Sequence, residues 1–220
     1  MAEEENKPRD NSQPFFECLY VSPIGHSNWV LSVAISPDGK SIVSGSQDCH
    51  IKIWNSHSGE LIRTLEGDSE AAASVNSVAI APDGNTIVSG SDDKTIKIWD
   101  LHSGELLHAI EGLSGEVNSV AITPDGNQIV SGDRDFTIQV WDLHSGELLR
   151  TLEGYSGQVI SISPDGKTIV SGSDGPIKVW NLQSGKLLRT LEKGSREALS
   201  VAITPDGKQI VSAGYASIKV

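Results

Sequence analysis

One phrase is written five times along this chain. It reads TIVSGSDDKTIKIWDLHSGELL from Thr86 to Leu107, and variants begin at Ile42, Ile129, Ile169 and Ile210. A repeat constrains a fold more than any single residue does, because a unit too small to bury its own apolar surface must stack on its copies. Inside the phrase, Ile87-Val88 and the stretch Thr95 to Trp99 have the β-branched and aromatic composition of strands. Asp92-Asp93-Lys94 and His102-Ser103-Gly104 have the composition of turns.

The spacing selects the architecture. A Pro-Asp-Gly corner starts at Pro37, Pro82, Pro124, Pro164 and Pro205, in steps of 45, 42, 40 and 41 residues. That period suits four-stranded propeller blades, and no segment carries a 3.6-residue apolar period. In the first unit the strands are expected at about 29–35, 41–45, 50–54 and 60–66, labelled a to d from the channel outward. Proline presets φ, Asp bonds its own backbone, and Gly takes the positive φ that closes the a–b hairpin. Ser-Gly does the same between c and d. SVAIAP, the second strand a, is apolar almost throughout, as in a sheet covered on both faces.

The expected fold is therefore all-β, a propeller of four-stranded antiparallel blades with five repeat units. Residues 1–14 are read as a disordered acidic tail. Residues 15–220 form the propeller, with units of about 22–66, 67–111, 112–153, 154–192 and 193–220. Phe15 to Val21, FFECLYV, is a strand with no unit of its own.

The net charge of −12 argues against phosphate backbones and anionic lipid, so neither nucleic acid nor a membrane is an expected partner. Cys18 and Cys49 show no metal or redox spacing and read as thiols of a reducing compartment. The first residues, MAEEENKPRDNSQP, lack the basic start and apolar core of a leader, so a cytoplasmic location is expected.

Gly25-His26, the repeated Ser-Gly-Ser and the IWD ending at Asp100 resemble the WD-repeat β-propeller family, from about Phe15 to Val220. That resemblance implies a hydrogen-bonded tetrad in each blade: a His, a strand-b Ser or Thr, a turn Asp and a strand-c Trp. The first unit supplies His26, Ser44, Asp48 and Trp54. The second offers Ser89, Asp93 and Trp99, the third Ser131, Asp135 and Trp141, and the fourth Ser171 and Trp180. The fifth keeps Ser212. At the His position the later units read Asp68, Leu113, Tyr155 and Gly194, so blades four and five are expected to be weaker than the first three. The fourth strand a is also two residues short, which preserves alternation. The resemblance further implies that strand 15–21 completes the last blade. It could do so within one chain, or by exchange between two chains in a ten-blade homodimer, or as part of a longer propeller.

No residues here suggest chemistry. His57, His102 and His144 fall at outer corners of successive blades and cannot share one ion. The five corner aspartates, from Asp38 to Asp206, are not paired as acid and base. Asp92-Asp93 lacks a calcium-loop pattern, and no nucleophile elbow or phosphate loop occurs. No enzyme activity, cofactor or metal is expected. The variable loops are left: Trp29, Glu116, Gln158 and Glu197 at d–a positions, Gln47, Asp92 and Arg134 just before the turn Asp, and Phe136 and Tyr155 as aromatic anchors. Together they form a candidate protein-binding rim. The expected function is a non-enzymatic scaffold for a protein or peptide partner. The alternatives are a self-assembling structural ring and an enzyme using the central channel.

Overall fold

A computed structural model describes residues 25–66, 73–152, 158–173, 175–191, 198–214 and 217–220. The N-terminal tail, strand 15–21, Tyr155 and Glu197 lie outside them. Every regular element among the described residues is a strand, and the strands form five antiparallel sheets.

Blade one is built from strands a to d at Val30–Ile35, Ser41–Ser46, His50–Asn55 and Leu61–Glu66. Blade two has Val75–Ile80, Thr86–Ser91, Ile96–Asp100 and Leu106–Ile110. Blade three has Val117–Ile122, Gln128–Asp133, Ile138–Asp142 and Leu148–Leu152. Blade four has Val159–Ile162, Thr168–Gly172, Ile177–Asn181 and Leu187–Leu191. Blade five shows Ala198–Ile203, Ile210–Gly214 and Ser217–Lys219, three strands among the described residues. Each sheet pairs its strands in sequence order, as hairpin connections of this length require.

The corners close as their sequences dictate. In blade one the Asp38 carboxylate accepts from Ser36 Oγ (2.7 Å) and from the Lys40 amide (3.0 Å), while Gly39 takes φ +72°. Thr123, Ser163 and Thr204 place the same hydroxyl on their own corner Asp; blade two has Ala81 there. At the c–d corner the residue after tryptophan is the turn former. Asp100 Oδ1 accepts the amides of His102 (3.0 Å) and Ser103 (2.7 Å), and Asn55, Asp142 and Asn181 serve their blades likewise.

Two apolar faces per blade make the core. The front face of blade two carries Val75, Val78, Ile87, Trp99 and Leu101, packed on Val43, Ile51, Ile53 and Leu65 of the back face of blade one. The same pattern joins blades two and three, three and four, and four and five. Full burial of one such side chain contributes about 1.5–3 kcal/mol, so the seams carry much of the apolar stabilisation. Where strand a of one blade crosses strand b of the blade before it, only glycine fits. A Cβ on Gly90 would lie 2.5 Å from Val117 Cγ1 and 3.0 Å from Val120 Cγ1.

A polar stitch runs along the same seams. The Val78 amide donates to Ser32 Oγ of the preceding blade (3.1 Å), Val120 to Ser77 (3.1 Å) and Ile160 to Ser119 (3.2 Å). The fourth strand a has four residues where its neighbours have six, and it lacks the a–b bulge seen in blades one, two, three and five. Val159 pairs with Gly172 as Ser77 pairs with Gly90, so blade four carries valine at the stitching position.

Candidate protein-interaction rim

Each blade end is held by a polar core under its tryptophan. In blade one the Trp54 Nε1–H donates to Ser44 Oγ (2.8 Å) and His26 Nε2 lies 2.7 Å from the same oxygen. His26 Nδ1 lies 3.0 Å from both oxygens of Asp48. One proton arrangement satisfies all three contacts: Nδ1–H donates to the carboxylate, and Nε2 accepts from the Ser44 hydroxyl. Asp48 also accepts the amides of Ser27 (2.8 Å) and His50 (3.1 Å). Burial alone would raise its pKa; the Ser27 amide, the His26 ring and the His50 amide outweigh that and bring it down to about 2.

The other blades keep the Trp–Ser bond and change the rest. Trp99 donates to Ser89 (3.0 Å), Trp141 to Ser131 (2.9 Å) and Trp180 to Ser171 (2.8 Å). In blade two, which has no such histidine, Lys97 supplies a cationic partner for the turn Asp but does not bridge it to the serine. Its buried ammonium lies 3.2 Å from Asp93, which also accepts from the Thr95 hydroxyl (2.6 Å). Burial pushes the Asp93 carboxyl up, and the Thr95 hydroxyl and the Lys97 charge more than offset it, so its pKa falls. In blade three the expectation for Asp135 needs correction. The buried Asp133 accepts the Thr137 amide (2.9 Å) and hydroxyl, while Asp135 is exposed. Asp133 replaces the serine found there in blades one and two, so its carboxylate reaches the turn first. Ser212 is buried in blade five.

Above this layer the candidate rim residues meet in pairs. The Gln47 amide donates to Trp29 O (2.9 Å), and the Arg134 amide to Glu116 O (3.0 Å). The Arg134 guanidinium also forms an ion pair with the Glu116 carboxylate. In blade two Asp92 pairs in the same way with Ser74 O (3.0 Å). Backbone pairing thus sets one d–a residue beside one b–c residue on each of these blades, all at the same end. Trp29 is 75% exposed, Gln47 and Arg134 are exposed, and Phe136 and Gln158 are half-buried.

The reading of residues missed three participants. Asn76 Nδ2 donates to Asp92 Oδ1 (2.6 Å) and to Val117 O of the next blade (3.1 Å). Ser74 supplies the backbone partner of Asp92, and Lys94 Nζ donates to Ser114 O (3.0 Å) across the seam. Only the departure of Asn76 from the apolar pattern of its strand hinted at a role. The turns themselves hold left-handed residues without glycine: Cys49 at φ 72°, Lys94 at 64° and Phe136 at 61°. Cys49 is a free thiol, its pKa raised by burial and by the Asp48 and Asp92 charges. Among the described residues no group of three or more His, Cys, Asp or Glu is placed to hold a metal ion.

Repeated four-stranded antiparallel blades, each with a tryptophan bonded to a strand-b serine, define a β-propeller of the WD type. The family model described as "WD domain, G-beta repeat" matches residues 16–55, 59–100, 104–142 and 146–181, and the chain belongs to that family. Curated relatives align over short stretches. A ribosome biogenesis protein BOP1 homolog of Dictyostelium discoideum is 42% identical over 64 residues, 29% of this chain and 8% of that protein. The Drosophila melanogaster BOP1 homolog is 44% identical over 61 residues, 28% of this chain and 8% of the relative. The nuclear distribution protein PAC1 of Arthroderma otae is 47% identical over 51 residues, 23% of this chain and 11% of the relative. The stretch shared with each is thus about a tenth of the relative's length or less.

Proposed function

We propose that this chain is a non-enzymatic scaffold that holds a protein or peptide partner on the rim built by the d–a and b–c loops. One observation carries the reading: the pairs Trp29–Gln47, Ser74–Asp92 and Glu116–Arg134 hold equivalent places on successive blades yet differ in chemistry. The opposite rim repeats nearly the same Pro-Asp-Gly and Ser-Gly corners. A surface that varies over a uniform scaffold suits recognition, and an exposed tryptophan on blade one and an exposed arginine on blade three give one rim the residue types of binding hot spots. The rim ion pair holds Arg134 in place, so less side-chain freedom is lost on binding. Tyr155 and Glu197 extend the same rim by sequence position. The reading takes the chain to be cytoplasmic, where the free thiol Cys49 remains reduced.

The test is affinity capture with the purified chain, a Trp29→Ala/Arg134→Ala/Tyr155→Ala variant, and a control changed on the opposite rim, Lys40→Ala/Lys167→Ala. The reading expects the triple variant to lose partners that the control retains. Partner lists identical for all three proteins would remove the assignment.

A further inference from the structure

We propose that Asp83-Gly84 is the one of the five Pro-Asp-Gly corners where the backbone isomerises fastest, because blade two lacks the hydroxyl that latches the corner aspartate in every other blade. An aspartate followed by glycine is open to this chemistry, since no side chain shields the glycine nitrogen from the neighbouring carboxyl. Asp38, Asp83, Asp125, Asp165 and Asp206 each precede a glycine and are all exposed. Asp174-Gly175, a further such pair, includes a residue outside the described ones.

Blades two and three isolate the cause. Their corners read Ala81-Pro82-Asp83-Gly84-Asn85 and Thr123-Pro124-Asp125-Gly126-Asn127, and they differ only at the first residue. The backbones match. Gly84 takes φ +74° and its amide donates to Ala81 O (2.9 Å); Gly126 takes φ +75° and donates to Thr123 O (2.8 Å). Each aspartate also accepts the amide of the asparagine two residues on, at 2.9 Å in blade two and 3.1 Å in blade three. Thr123 adds two bonds that Ala81 cannot make. Its hydroxyl donates to Asp125 Oδ1 and accepts the Gln128 amide (3.0 Å), which ties the carboxylate to strand b. Ser36, Ser163 and Thr204 make the same two bonds in their blades.

The latch opposes the reaction in two ways. The carboxyl must break the hydroxyl bond before it can swing to the glycine nitrogen. The bond also favours the ionised carboxylate, whereas the neutral acid is the form that loses water. That hydroxyl is the largest cause holding Asp38, Asp125, Asp165 and Asp206 below the ordinary carboxylate range. In the unlatched corner the Gly84 nitrogen attacks Asp83 Cγ. The proton of the nitrogen and the carboxyl hydroxyl leave as water, and a five-membered imide closes. Water then adds back at one of the two imide carbonyls. Addition at Cγ restores Asp83. Addition at the main-chain carbonyl routes the chain through the side chain as isoaspartate, with no net change of atoms and a corner longer by one carbon.

Ageing the full chain at neutral pH in oxygen-18 water tests the proposal. Peptide mass spectrometry reads the heavy oxygen gained at each corner, and electron-transfer fragmentation separates isoaspartate from aspartate. Asp83 is expected to convert about fivefold faster than Asp125, the factor that one hydrogen bond is worth. Ala81→Ser lowers the Asp83 rate to that of Asp125, and Thr123→Ala raises Asp125 to that of Asp83. Circular dichroism checks that each variant is folded, and Ser163→Ala, read at Asp165, replaces Thr123→Ala if that chain does not fold. In concentrated urea Asp83 and Asp125 convert alike, because the latch exists only in the folded corner. Equal rates at Asp83 and Asp125 in the folded chain, an Asp83 rate unmoved by Ala81→Ser, or a difference that persists in urea overturns the proposal.

Discussion

Placing one methyl group at Gly90 tests whether the blades are close-packed where they cross. Its Cβ would lie 2.5 Å from Val117 Cγ1 and 3.0 Å from Val120 Cγ1, both on the next blade's first strand. These atoms belong to buried β-branched side chains with restricted χ1, so they have little room to swing away. Gly90→Ala must therefore move blade three against blade two, and overpacking of this kind costs about 1–3 kcal/mol. Gly39→Ala is the contrasting change. Its Cβ meets nothing within 4 Å, but φ +72° makes alanine pay the left-handed backbone term of about 1–2 kcal/mol. The two costs overlap in size, so a double-mutant cycle decides. Blade five already carries Ala198 at the place of Val117, which shows that the smaller side chain is accommodated there. Val117→Ala should relieve Gly90→Ala and leave Gly39→Ala unaffected. Guanidinium unfolding of the single and double variants reads the coupling, expected to be favourable by about 1 kcal/mol or more. Additivity of Gly90→Ala with Val117→Ala, within about 0.3 kcal/mol, would refute close packing at the seam.

Three further outcomes follow from the same geometry. Asp48 has a folded pKa of about 2, below its usual value of 3.8, so its contribution is present above pH 3.8 and lost as pH falls through 2; it amounts to roughly 1 kcal/mol after solvent screening. Acid unfolding of Asp48→Asn should lack that portion of the pH dependence. Ser44→Ala should cost about 1–3 kcal/mol in chemical denaturation, because it removes the partner of both Trp54 and His26. Ala81→Ser should stabilise by about 0.5–1.5 kcal/mol, since blades one, three, four and five already place a hydroxyl on the corner Asp; a lower midpoint in the same assay would contradict it.

What could be read from residues alone was whatever repeats locally. The Pro-Asp-Gly steps give the blade count, and strands expected in the first unit at about 29–35, 41–45, 50–54 and 60–66 were found within a residue or so of those limits. Turn chemistry is local, so it survives without tertiary information. The polar cores were less legible, because a gap left by one residue is filled by whichever neighbour can reach it. Lys97 turns inward to Asp93, whereas Lys52 at the same register donates to Gly25 O, and the two are indistinguishable in sequence. By alignment with Asp48 and Asp93 only Asp135 was a candidate, and it took the built turn to show that Asp133 bonds Thr137 instead. Asn76 spans two blades, and no pattern within one unit announces a bond to the next. Burial was hidden for the opposite reason: Val33 and Val78 sit in nearly the same words, yet Val33 is 65% exposed and Val78 6% exposed, a difference that only the fold reveals.

Hydrogen exchange at the first-strand amides addresses directly the claim that one seam geometry, repeated from blade to blade, holds the scaffold rigid. Val78, Val120 and Ile160 donate to a serine of the preceding blade, while Val201 faces Val159 there. The account predicts slow exchange at the first three and faster exchange at Val201, and it predicts that Val159→Ser slows Val201 toward the others. If Val201 already exchanges as slowly as Val78, or if the added serine changes nothing, the seams are not what fixes the blades.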